Sequence, residues 1–171
     1  MPVTSYLRRQ ATAAALINVV VNALITWLGH RRTDFVPLAG SDGITTDVFV
    51  TSVLLSLLVS LFVTKGVRHE LTAGRLVAAD QPPRAGRLLA RLPARWWALG
   101  LLIGVAAAAV ATVVLRLLGA LGLSGLGPGA FVAFMAAYTG LLGYTVTRWV
   151  ILRQLAERRT QRQEDTGGPG T

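Results

Sequence analysis

The sequence predicts an all-α membrane protein: four transmembrane helices as two antiparallel hairpins, with both termini cytoplasmic. Three observations carry that expectation. Of 171 residues, 53% are apolar and only 15% charged, whereas a soluble domain carries about a quarter charged residues. The apolar residues gather into four runs near the length that crosses a bilayer as a helix, roughly 20 residues. The third observation is where the net charge of +9 lies.

Place the N-tail, residues 65–95 and the chain from Arg148 onward on one side of the membrane. That side then holds 14 of the 17 Lys and Arg, with only Glu70, Asp80, Glu157, Glu164 and Asp165 against them. The other side holds Arg31, Arg32 and Arg116 against Asp34, Asp42 and Asp47, and is neutral. Excess Lys and Arg stay cytoplasmic, which sets the orientation. In a soluble chain such charge would suggest nucleic acid. On one face of a membrane protein it finds a sufficient partner in anionic lipid headgroups, and no nucleic acid is expected. The absence of Cys excludes disulfides and thiolate-bound metal.

The pattern divides into an N-tail and first hairpin (1–64), a basic loop (65–95), a second hairpin (96–153) and a tail (154–171). The first run, Ala11 to Leu28, follows Arg8 and Arg9 as a signal peptide would, but it is longer than such a segment and lacks a cleavage pattern. An uncleaved span is expected. The connection from Gly29 to Thr46 reads as turns at Pro37, Gly40, Asp42 and Gly43. The second span, about Asp47 to Thr64, is rich in β-branched residues, yet a lone strand cannot satisfy its backbone in lipid, so it must be helical. Asp47 suits the positive end of that helix.

In the basic loop Gln81-Pro82-Pro83 breaks any helix. Arg84, Arg87, Arg91 and Arg95 then recur around Leu88, Leu89 and Leu92, an amphipathic pattern that predicts an interfacial helix on anionic headgroups. Trp96 and Trp97 mark the headgroup boundary, and Pro93 kinks or restarts the helix there. The third span runs to about Leu118. Residues 119–129 are uncharged and glycine-rich, so the second hairpin is expected to close tightly. The fourth span covers about Ala130 to Leu152, with a charged helical continuation to Gln163 and a disordered end from Glu164. A faint repeat links Gly40, Gly43, Phe49 and Val50 to Gly122, Gly125, Phe131 and Val132 at an offset of 82, and Thr64-Lys65 to Thr147-Arg148 at 83. Two such hairpins would be parallel repeats.

Each span carries small or polar residues every fourth position. They are Ala14, Asn18, Asn22 and Thr26, then Ser52, Ser56, Ser60 and Thr64, then Gly100, Gly104, Ala108 and Thr112, and last Ala136, Gly140 and Tyr144. Such stripes let helices approach closely and bond across the interface. Asn18, Asn22, Ser56 and Ser60 admit a second reading as a polar path for a substrate or proton. No acid, His or Lys at membrane depth accompanies them, so interhelical packing is favoured. His30, Asp34, Asp42 and Asp47 share the first connection, but unclustered beside Arg31 and Arg32 they read as solvated loop rather than as metal ligands. No nucleophile elbow, zinc-protease motif or phosphate loop is present. No enzyme and no cofactor are expected.

The run Asn22-Ala-Leu-Ile-Thr-Trp27, with Val36-Pro-Leu, Asp47 and Thr64-Lys-Gly-Val-Arg68, resembles a group of small, uncharacterised bacterial multi-span membrane proteins. It covers the first hairpin only. The resemblance implies a bacterial source and, with the Ala-, Arg- and Gly-rich composition, the inner membrane; it transfers no activity. The functional expectation is a structural or accessory protein that holds lipid, a second copy or a partner membrane protein through its basic loop. A small transporter component is the alternative.

Overall fold

In the computed structural model, the backbone is described for residues 3–73, 93 and 95–166, and side chains for residues 4–73, 93 and 95–157. Four helices dominate: α1 (Val3–His30), α2 (Ile44–Thr72), α3 (Trp96–Ala120) and α4 (Pro128–Thr166). All four are long and apolar enough to cross a membrane. Their outward faces remain apolar, as at Val20, Leu58, Phe62 and Val110, which are all more than half exposed. In water that much bare hydrocarbon surface would drive association, whereas lipid solvates it.

The helices outrun the predicted spans. α1 takes in the N-tail from Val3, and α2 continues two turns past Thr64 into the basic segment. α4 is helical to Thr166, through the first three residues of the tail expected to be disordered. The expected interfacial helix from Arg84 to Arg95 lies outside the described residues except at Pro93 and Arg95. Arg95 is extended (φ −74°, ψ 125°) and caps α3, so the helix begins at Trp96, after Pro93.

The two short connections meet at one end of the bundle. Strands β1 (Val36–Pro37) and β2 (Gly125–Leu126) pair antiparallel, and the Leu38 amide donates to the Ser124 carbonyl at 3.0 Å. α3 stops in a Schellman turn: the Leu123 amide reaches the Leu118 carbonyl at 3.1 Å and the Gly122 amide that of Gly119 at 3.0 Å. The turn requires a left-handed residue, and Gly122 supplies φ 98°. Val36 and Leu38 turn inward onto Ile44, Val48, Leu115, Phe131 and Met135, closing that end with an apolar cluster. A second cluster at mid-bundle joins Leu55, Leu99, Leu142, Val146 and Val150. A third, of Tyr6, Val67, Ile151 and Leu155, lies at the opposite end.

Helix pairing departs from simple hairpins. α1 packs along α4, α3 packs along α2, and α2 and α4 meet in the centre; α3 touches α4 only sparsely, despite the tight connection between them. The first helix of each half therefore lies on the second helix of the other half. The faint repeat follows this exchange. Asn18 on α1 lies against Thr139 and Gly143 of α4, and Gly100 on α3 lies against Ser56 and Ser60 of α2. Asn18 and Gly100 are 82 positions apart, and the Ser56–Thr139 and Ser60–Gly143 pairs are each 83 apart.

At the α2–α3 seam glycine sets the distance. A Cβ at Gly104 would stand 2.9 Å from the Ser52 carbonyl oxygen and 3.0 Å from the Val53 Cα, with no flexible atom to yield. Gly104→Leu is therefore expected to lower stability by about 1–3 kcal/mol through overpacking, read as an earlier midpoint in SDS or thermal unfolding. Gly29→Leu serves as the control, because nothing lies within 4 Å of a Cβ there.

Candidate functional site

The charged end of the bundle is where the sequence places any contact with headgroups. Arg8, Arg9, Lys65, Arg68, Arg95 and Arg148 are exposed there, with Trp96 half-buried and Trp97 and Trp149 exposed at the apolar boundary. Arg68 Nε donates to Gln154 Oε1 at 3.4 Å, tying α2 to α4 where both leave the apolar zone. Of the residues expected to hold headgroups, Arg95, Trp96 and Trp97 lie at this end; Arg84, Arg87 and Arg91 are outside the described residues.

The residues of the expected polar path occupy two separate seams. Asn18 faces α4, where its Nδ2 donates to the Ala14 carbonyl of its own helix at 2.8 Å. Asn22 does the same to the Asn18 carbonyl at 3.0 Å. Each amide thus satisfies its N–H within α1 rather than across the interface. Ser56 and Ser60 face α3, fully buried, and their hydroxyls find no hydrogen-bond partner among the described residues. A Cβ at Gly100 would stand 2.8 Å from Ser60 Oγ, so the seam leaves no room for a solute. These serines contribute their small size rather than hydrogen bonds.

Ser52 alone of that stripe bonds across helices. Its Oγ donates to the Val48 carbonyl at 2.5 Å and accepts from the Tyr138 hydroxyl at 2.5 Å. Tyr138, which stacks on Phe134 with ring centroids 6.1 Å apart, escapes a reading that looks for four-residue stripes of small residues. On α4 Gly140 of the expected stripe meets Val19 of α1, and Thr139 and Gly143, outside that stripe, meet Asn18. The i, i+3 pair of glycines at 140 and 143 is the signal that marks this face.

At the opposite end His30 links three elements. Its Nδ1 lies 3.2 Å from the Thr26 carbonyl, which can only accept, so Nδ1 carries the hydrogen. Nε2 lies 3.7 Å from Asp47 Oδ2, and the ring meets Phe131 edge-on with centroids 4.9 Å apart. Asp34 and Asp42 do not join them, and among the described residues no group of three or more His, Cys, Asp or Glu side chains converges. Trp27, with the Arg31 guanidinium 5.8 Å above its ring, stands at the boundary of this end.

No family model matches the chain, and neither a curated protein nor a solved structure matches it. The geometry of the chain therefore carries the functional reading.

The α1–α4 seam yields a coupled prediction. A Cβ at Gly143 would stand 2.5 Å from Asn18 Nδ2, so Gly143→Ala is expected to destabilise the protein and Asn18→Ala to relieve part of that loss. A double-mutant cycle in SDS unfolding should show a coupling of about 0.5–3 kcal/mol. Strict additivity would mean the two side chains do not meet.

Proposed function

We propose that this chain is a multi-pass protein of the bacterial inner membrane with both termini cytoplasmic. Its role is structural or accessory, exercised by binding anionic lipid, and through that surface a partner membrane protein or a second copy. The reading rests on one observation above the others: the exposed Arg and Lys gather at one end of the bundle, while the clasped connections at the other end carry balanced charge. Each basic residue held near an anionic surface contributes about 1 kcal/mol, screened beyond a Debye length of about 8 Å at physiological salt. The resemblance of the first hairpin to bacterial multi-span proteins supports the same source.

A transporter component has less support. Asn18 and Asn22 are separated from Ser56 and Ser60 by the packing of α4 between α1 and α2, and the Ser56–Ser60 seam is closed by Gly100. We also propose a non-enzymatic role, as the sequence carries no nucleophile elbow, zinc-protease motif or phosphate loop. Any oligomer would use surfaces other than the α2 and α3 stripes, which are consumed within the chain.

Two measurements test the proposal. Reporter fusions at Gly40 should be active only in the periplasm and at Asp80 only in the cytoplasm; the reverse pattern overturns the orientation. A peptide covering Gln81 to Trp97 should become helical on anionic vesicles, much less on zwitterionic ones, and less as salt rises. A coil spectrum with both vesicle types would remove lipid docking by the loop.

A further inference from the structure

The crossed packing leaves α3 and α4 side by side but barely touching, and a groove of about 470 Å³ runs between them. Ile103, Ala107, Val110 and Leu115 form one wall, and Phe134 and Thr145 stand on the other. Nothing charged lines it, and Thr145 turns its hydroxyl away to the Leu141 carbonyl at 2.8 Å. From Ile103 to Leu115 the groove is about 18 Å long at 1.5 Å per residue. Its mean cross-section is then roughly 26 Å², about 6 Å across. A single hydrocarbon chain lies within that width, whereas a helix of about 10–12 Å would lay only a ridge of side chains along it.

On the side of the charged end the lining stops at Ile103 and Thr145, and the helix faces that carry it continue in register to that end. Arg148 stands two turns below Leu141 and Trp149 one turn below Thr145, on the α4 face that lines the groove. Trp96 stands two turns before Ile103 on the facing side of α3. Arg148 and Trp149 are exposed, and Arg148 has no ion-pair partner among the described residues. Helical register therefore places the Arg148 cation and the tryptophans Trp96 and Trp149 beyond the charged-end limit of the apolar groove.

The geometry points to a lipid site: the α3–α4 groove seats one acyl chain of an anionic phospholipid of the cytoplasmic leaflet, whose phosphate rests on Arg148. This deepens the proposed function and rests on its orientation, because only that orientation puts Arg148 in the anionic leaflet.

The test is native mass spectrometry of the full chain in detergent, titrated with phosphatidylglycerol or phosphatidylcholine of matched acyl chains. The wild type should retain one phosphatidylglycerol under conditions that strip phosphatidylcholine. Val110→Trp fills the groove from an exposed position and should abolish retention of both lipids; Ala106→Phe, also on the wall, repeats the test if Val110→Trp misfolds by circular dichroism. Arg148→Gln should cut only the preference for phosphatidylglycerol, by about fivefold. Unchanged retention in a folded groove-filled variant overturns the site, as does a wild-type dimer that the same variant disperses while lipid binding persists. If retention is unchanged but the wild type still prefers phosphatidylglycerol, the groove fails and the accessory reading survives. If the wild type shows no preference and the reporter at Asp80 is periplasmic, both fail.

Discussion

Two helices in a membrane gain little from burying apolar surface against each other, since the lipid they displace is equally apolar. Their cohesion comes from how closely they approach. In this chain the approach is decided at two seams where a backbone meets a side chain with nothing between. Gly100 and Gly104 admit the serine stripe of α2, and Gly140 and Gly143 admit Val19 and Asn18 of α1. The two seams are versions of one another with the sizes reversed. In one the first helix of the half supplies the glycines; in the other it supplies the larger side chains. Remove the glycines and the crossed arrangement of halves loses its reason.

That arrangement also governs what the polar residues inside the bundle do. Hydroxyls and amides that look like a path when aligned along their own helices are divided between seams when the helices exchange partners. The Asn18 and Asn22 amides turn to their own backbone, while Ser52 and Tyr138 tie α2 to α4 by a side-chain hydrogen bond at mid-bundle. A typical interhelical hydrogen bond in a membrane contributes on the order of 0.6 kcal/mol, so steric fit outweighs it here.

Much of the fold was legible in the sequence for a plain physical reason. Hydrocarbon imposes length and apolarity on every span, and both are written in consecutive residues. The four helices could be read this way, and glycine content marked the connections, with a turn at Gly40 and a tight closure over 119–129. Helix ends were less legible: α2 runs on to Thr72 because Lys65, Gly66 and Arg68 are compatible with a helix that has left the apolar zone. Partner choice was the least legible. A stripe at Ser52, Ser56, Ser60 and Thr64 says that something small must face it, but α3 and α4 both carried suitable glycines. The faint repeat joined Gly40, Gly43 and Phe49 to Gly122, Gly125 and Phe131, and it is the packing that matches Asn18 with Gly100 and so brings out the exchange. The Tyr138–Ser52 bond was invisible because it depends on one aromatic at the edge of a stripe.

The exchange of first helices has a consequence for how the protein is made. Of the four helices α1 is made before the others, yet its packing partner is α4. Asn18 and Gly143 are 125 positions apart, which is about 6 to 25 s of synthesis at ~5–20 residues per second. Throughout that interval α1 lacks the helix it packs along in the finished fold, while carrying two asparagines within its apolar span. The intrahelical bonds of Asn18 and Asn22 are suited to such a wait, because they need no neighbour. A helix whose amides depended on α4 would spend the same seconds with unsatisfied polar groups in hydrocarbon. The side chains that look most like parts of a pathway are thus the ones that let the first helix be left alone until the last one arrives.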